Sequence, residues 1–284
     1  FAIEQVQQYH PPMSRSVMWF GAIQFVVLLQ GVAAFLRFAE GLPRAQAAVW
    51  LGVLVASLWA IGAVLQGRIT ITQALMVESA ALATATAALG LTDLHRLFKP
   101  LTLLLAIVFV SAHADRTRAT GRFGMLLMAA LALSLAGDVF LMFPGYFIPG
   151  LVAFLLAHLA YIALLRQGQR WFPSRRALAA TLGVGAAMYA FLWQGGLPPA
   201  LRAPVAAYVV VIALMAAQAI GRATVLRDRA AIGVAVGAGF FMLSDSLLAI
   251  NKFVTPVPMA QVWVLGTYYA AQLLIVHHLR PGAR

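Results

Sequence analysis

Apolar residues fall into ten runs, at roughly 17–37, 46–66, 72–92, 97–113, 123–143, 148–165, 177–195, 203–221, 230–250 and 260–279. A helix needs about 20 mostly apolar residues to cross a bilayer, and each run is near that length. Polar and apolar positions do not alternate within the runs, and Ala, Leu and Gly abound, which argues against a membrane β-barrel. The breaks carry helix-stopping chemistry, as in "FPGYFIPG" at 143–150 and "QGGLPPALRAP" at 194–204. The pattern predicts an all-α fold, a polytopic transmembrane helix bundle of about ten spans.

Composition agrees. The 284 residues are 63% hydrophobic and 10% charged, against about 45–50% and about 25% in soluble domains. With no cysteine, neither a disulfide framework nor a thiolate metal site is possible. The net charge of +12 does not indicate nucleic-acid binding, because the arginines sit in short loops between apolar runs. They report topology instead. One set of alternate loops, with Arg15, Arg68, Arg116, Arg118, Arg122, Arg166, Arg170, Arg175, Arg176, Arg222, Arg227, Arg229, Arg280 and Arg284, holds fourteen of the twenty basic residues. The other set holds Arg37, Arg44, Arg96, Lys99, Arg202 and Lys252. Both termini are therefore expected in the cytoplasm, and a bacterial inner membrane is the expected location. The opening "FAIEQVQQYHPPMSRS" lacks the basic segment and apolar core of a signal peptide. It reads as a trimmed terminus or as the back part of a longer polypeptide.

Ionisable residues inside a span are costly and are functional candidates by default. Glu78, Asp138, His158 and Asp245 lie within spans, Lys99 and Lys252 at span ends, and His277 and His278 close the last run. At about 1.5 Å per residue, Asp138 lies about 8 Å and His158 about 15 Å inside the non-cytoplasmic edge. Asp245, Lys99 and Lys252 approach from the same edge, so both acids and both lysines are placed to share one cavity. Plainer readings stand beside these. The lysines have stems that snorkel to headgroups, His158 suits simple packing, Glu78 suits a pairing with an arginine, and His277–His278 suit an interfacial cap. Phe140, Phe143, Tyr146 and Phe147 read as an interfacial belt. An aspartate has no snorkelling stem, so Asp138 and Asp245 are the strongest candidates.

No paired His/carboxylate helical motif points to a metal, and no G-x-S-x-G elbow is present. Serines 134, 244 and 246 flank the acids, but no histidine neighbours them in sequence. The chemistry rests on two membrane-embedded aspartates, with the lysines, Tyr161, Tyr268, Tyr269 and Gln272 as helpers.

"RLFKPLTLLLAIV" (96–108), "SLAGDVFLMFPGYFIPGLVAFLLAHLAYI" (134–162), "GAGFFMLSDSLLAINKF" (237–253) and "TYYAAQLLIVHHL" (267–279) resemble, in order, the signature blocks of the lysoplasmalogenase (YhhN-like) family of membrane proteins. The resemblance covers about residues 72–284 and implies an eight-helix enzyme that hydrolyses the vinyl ether bond of lysoplasmalogens. The products are a fatty aldehyde and glycerophosphoethanolamine or glycerophosphocholine. Its motif positions place Lys99, Asp138, His158, Tyr161, Ser244, Asp245, Asn251 and Gln272 around the site. Taken with the reading of the residues above, Asp138 and Asp245 are the expected catalytic pair, Lys252 and Tyr268 join the expected contacts of the lysophospholipid substrate, and no cofactor or metal is expected. Residues 1–70 lie outside the blocks. Their "IQFVVLLQGVAAFL" and "IGAVLQGRITITQALMVES" resemble the last membrane stretch of alkylglycerol monooxygenase-like sterol desaturases. Only His10 and His95 occur in the first 95 residues, so the histidine boxes of that family are missing and no oxygenase activity is expected. Residues 1–70 are read as a two-helix membrane appendage and 71–284 as the eight-helix unit.

A vinyl ether is a masked aldehyde. Protonation of its β-carbon gives an oxocarbenium ion, to which water adds. One protonated and one ionised aspartate would serve as acid and as stabilising base. Asp138 is favoured as the acid, with His158 as a proton relay from the next helix. The rival class is a lipid-binding or proton-coupled transport protein, since transporters also keep acids at the membrane midplane.

The charge bias generates a topology prediction. Single cysteines at positions 120, 173 and 225 are expected to react with an impermeant maleimide from the cytoplasm, and those at 146, 198 and 256 from the other face. The inverted labelling pattern would overturn the orientation.

Overall fold

In a computed structural model, the structure describes residues 16–24, 44–113 and 121–280, and every regular element among them is helical. Residues 16–24 form α1. The others are α2 (Arg44–Leu65), α3 (Ile71–Ala88), α4 (Thr92–Ala112), α5 (Gly121–Leu141), α6 (Phe147–Leu165), α7 (Arg175–Gln194), α8 (Pro199–Leu226), α9 (Arg229–Phe253) and α10 (Ala260–His278). The predicted runs match these helices closely. The first run is described only to residue 24; His10, Arg37, Arg116, Arg118 and position 120 lie outside the described residues.

Lipid offers backbone groups no water to bond, so the helix, which satisfies its own N–H and C=O groups, is the unit of construction. The ends follow local chemistry. Thr70 caps α3 in a reciprocal capping box with Gln73. Ser174 caps α7 and Asp228 caps α9 through the third backbone N–H of each helix. Among the described residues, seven helices are long and apolar enough to cross a membrane. By that criterion α3 and α10 fall short because they carry Gln73 and Glu78, and Gln261, Gln272, His277 and His278. The protein is an integral, multi-pass membrane helix bundle.

Packing arranges seven helices in a ring. Following the contacts, α3 packs on α4, then α5, α6, α8, α9 and α10, which returns to α3. Helix α7 stands outside the ring, against α8 and only lightly against α9, and α2 packs on the outer side of α3. The ring interior is filled by buried side chains such as Leu103, Leu127, Leu131, Leu164, Met215 and Phe241. Helices α5 and α6 approach through reciprocal glycines. A Cβ on Gly137 would come within 2.5 Å of the Phe154 ring, and one on Gly150 within 2.7 Å of Leu141. Phe154 in turn packs edge-on against Tyr268, with ring centroids 5.9 Å apart.

At the end where α8 finishes, the buried Arg222 guanidinium donates to the carbonyls of Leu165, Gln167 and Arg280. Nearby, Gln218 accepts from the Phe172 N–H and donates to the Arg170 carbonyl. This end of the ring is thereby tied to the α6–α7 connection and to the chain beyond α10. Gln73 Nε2 meets His277 Nδ1 at 2.8 Å, joining α3 to α10. His277 is thus also an interhelical partner. Glu78 accepts from Gln24 of α1 at 2.9 Å, so the pairing with an arginine expected from sequence is replaced by an amide from the N-terminal helix.

Gly137→Ala should lower stability by about 1–3 kcal/mol, because the added methyl overpacks against a buried ring. Thermal unfolding in detergent measures this. An unchanged melting temperature would show that Phe154 yields without cost.

Candidate active site

A cavity of ≈ 390 Å³ opens at the ring end where α4 and α10 begin and α5 and α9 finish. Its lining is chemically divided. Helices α4, α5, α9 and α10 supply His95, Lys99, Asp138, Asp245, Lys252 and Gln261 among others, whereas α6, α7 and α8 supply apolar residues and one polar group, Tyr208.

Asp138, near the end of α5, is 2% exposed, and Lys99, in the third turn of α4, 7%. Lys99 Nζ lies 3.5 Å from Asp138 Oδ1. The other carboxylate oxygen accepts from the Tyr268 hydroxyl of α10 at 2.6 Å. Tyrosine has one O–H, and here it is given to Asp138. The side chain behind Tyr268 must therefore donate to it, and Gln272 Nε2 does so at 3.4 Å. The Gln272 carbonyl is left to accept from Tyr161 of α6 at 2.9 Å. Donors thus run in one direction, Tyr161 to Gln272 to Tyr268 to Asp138. A lysine and a directed hydroxyl thus engage both oxygens of this carboxylate.

Asp245 of α9 stands differently. It is partly buried and accepts a hydrogen bond from Tyr208 of α8. Among the described residues, no cation lies within ion-pair distance of it. Lys252, two turns further along α9, sits over the Phe147 ring at 4.4 Å, at the rim of the cavity. Phe147, expected in an interfacial belt, is therefore a cation–π platform for this lysine.

His158 is fully buried, edge-on to Phe241 and Tyr208 with centroids 4.8 and 5.5 Å away. Neither ring nitrogen completes a hydrogen bond, the Phe154 carbonyl one turn back being the polar group beside it. The histidine expected to relay protons to Asp138 thus packs on the tyrosine that serves Asp245.

The structure brings Lys99, Asp138, Ser244, Asp245, Lys252 and Tyr268 to one cavity, with Tyr161 and Gln272 behind it. Two expected substrate contacts are otherwise employed. Ser244 donates to the Val264 carbonyl at 2.9 Å, joining α9 to α10, and the Asn251 carbonyl accepts from the Val257 N–H at 2.9 Å, shaping the α9–α10 turn. Two lining residues escape sequence reasoning. Tyr208 carries a buried hydroxyl in an otherwise apolar run, and that is its one signal. His95 bonds the Ala83 carbonyl at 2.9 Å and turns its remaining edge to the cavity. Among the described residues, no three His, Asp or Glu side chains converge as metal ligands do.

A family model described as the YhhN family matches residues 94–279. Lysoplasmalogenase TMEM86B from Homo sapiens is 36% identical over 157 residues, which cover 55% of this chain and 64% of the relative. Lysoplasmalogenase TMEM86A from Bos taurus is 32% identical over 187 residues, covering 63% and 75%. A lysoplasmalogenase from Mycobacterium tuberculosis is 33% identical over 188 residues, covering 64% and 70%. The chain thus spans just under two thirds of the human relative's length. No solved structure matches it. With well over half its length matched, and with Lys99, Asp138, His158, Asp245 and Gln272 all inside the match, the chain belongs to the YhhN family.

Proposed function

We propose that this chain is a lysoplasmalogenase, a membrane hydrolase that cleaves the vinyl ether of a lysophospholipid to a fatty aldehyde and glycerophosphoethanolamine or glycerophosphocholine. The observation that carries this reading is the asymmetry of two acids in one amphipathic cavity. Asp138 has a lysine and a donor chain, and Asp245 has a single hydroxyl. Low-dielectric surroundings keep a carboxyl without a cation neutral and a paired one ionised. Asp245 is therefore assigned as the acid and Asp138 as the anion, the reverse of the assignment favoured from sequence.

The cycle closes on the two carboxyls. Asp245 gives its proton to the β-carbon, and the ether oxygen's lone pair completes the oxocarbenium ion beside the Asp138 anion. Water adds to the α-carbon and releases its proton to Asp138. The hemiacetal then collapses. Asp245 takes the hydroxyl proton, Asp138 returns a proton to the ether oxygen, and the C–O bond breaks to aldehyde and alcohol. Both carboxyls regain their starting states and one water is consumed. The chemistry names no cofactor.

Lys252 at the rim suits a phosphate headgroup as a point charge. The reaction belongs to residues 71–284, and residues 1–70 form an appendage on α3, since none of the described residues of α1 or α2 lines the cavity. The orientation follows the positive-inside count, with both termini in the cytoplasm of a bacterial inner membrane.

Asp138→Asn and Asp245→Asn should each reduce turnover by at least about 100-fold while the protein still folds, because each removes a proton-transfer role. Aldehyde release from a lysoplasmalogen in detergent is the assay. Near-normal turnover in either variant removes that aspartate from the chemistry. Substrate-dependent thermal stabilisation of the parent protein without aldehyde would favour a lipid-binding protein.

A chain beginning at residue 70 should retain most of this turnover at a lower melting temperature, since Glu78 loses Gln24. A truncated protein that is stable but inactive would move the domain boundary.

A further inference from the structure

The cavity does not end at the acids. Beyond Asp245 its wall is formed by Val184, Gly185 and Met188 of α7, Val209 and Ile212 of α8 and Met242 of α9. All are apolar. Val184 is 58% exposed on the outside of the bundle, so this arm leads from an ionisable group to the lipid-facing surface. It runs through a lightly packed seam of the fold. Helix α7 lies outside the ring and touches α9 lightly, so these two helices form the sides of a crevice with α8 as its floor.

Depth gives the direction. Asp245 is eight residues from the end of α9 and Val184 ten from the end of α7. At about 1.5 Å per residue these are depths of about 12 and about 15 Å. The hydrocarbon core is about 30 Å thick. The arm therefore runs sideways, near the bilayer midplane, and does not rise to an aqueous face. Polar chemistry at one end and a purely apolar exit at the other match a single-chain amphiphile.

Resting on the lysolipid reading above, we propose that the crevice between α7 and α9 is a lateral portal that admits the substrate's hydrocarbon chain directly from the bilayer. The reacting head end is held by Asp138, Asp245 and Lys252. The chain passes Met188 and Gly185, and its tip lies in lipid beyond Val184. A chain whose tip remains in the membrane need not be enclosed, so the cavity sets no upper length. Met188, which lines this arm, becomes the position that determines chain selectivity.

The probe is a saturated 1-alkyl lysophosphatidylcholine, which has no vinyl ether to hydrolyse, carrying a diazirine midway along its chain, at the stretch that passes the crevice. Photolysis with the full-length protein followed by peptide mass spectrometry is expected to label α7 and α9 peptides containing Val184 and Met242. Labelling inside the ring, at His158 or Phe241, or no specific labelling, would overturn the portal. In parallel, Met188→Trp is expected to lower the ratio of kcat/KM for an octadecenyl over an octenyl lysoplasmalogen at least about tenfold, the scale on which pocket fit discriminates chains. An unchanged ratio would overturn Met188's role. Because the probe reports binding alone, labelling at Val184 without aldehyde release from any lysoplasmalogen would preserve the portal and reject the hydrolase, whereas release with labelling elsewhere would do the opposite.

Discussion

A lysine and an aspartate meet at 3.5 Å, both buried inside the bundle, and much of the architecture answers to that pair. Desolvating two charges costs several kcal/mol per ion, and a well-packed apolar replacement is often as stable or more so. Stability alone does not call for such a pair, so chemistry is the better account of it. The pair also dictates position. Lys99, Asp138 and Tyr268 come from three helices, so α4, α5 and α10 must hold their depths together. Tyr268 is fixed from behind by Gln272 and from the side by Phe154. Phe154 lies where it does because residue 137, next to the aspartate, has no side chain. One residue's missing methyl thus sets the angle of a hydroxyl three helices away in the contact order.

The two acids show how burial and partners give identical side chains different surroundings. Asp138 sits inside the ring with its partners supplied, and Asp245 sits at the ring's margin where the cavity turns toward lipid.

Much of this is legible in the amino-acid sequence. Charges in apolar runs stand out because the membrane makes them expensive, so Asp138, Asp245, Lys99 and Lys252 announce themselves, and helix boundaries follow Pro, Gly and caps. Three things are not legible there. Tyr208 hides because a tyrosine in an apolar run counts as apolar. Ser244 and Asn251 look like site residues because a side chain spent on a backbone partner is written with the same letter as one that faces a substrate. The surroundings of His158 escape any reading that pairs consecutive helices, since His158 of α6 looks across to Tyr208 of α8. Order around a ring depends on which faces interlock, and hydropathy carries no record of that.

The ring of seven has a consequence of simple parity. Consecutive helices alternate in direction, and an even circle of them alternates all the way round. An odd circle cannot. Somewhere two neighbours must point the same way, and here they are α6 and α8, adjacent because α7 has been set outside. Their macrodipoles lie parallel, the less favourable arrangement, and the helix that would have separated them is braced from one side only. Any bundle that closes on an odd count carries one such parallel pair, and in this protein α8, one member of the pair, also floors the apolar arm of the cavity.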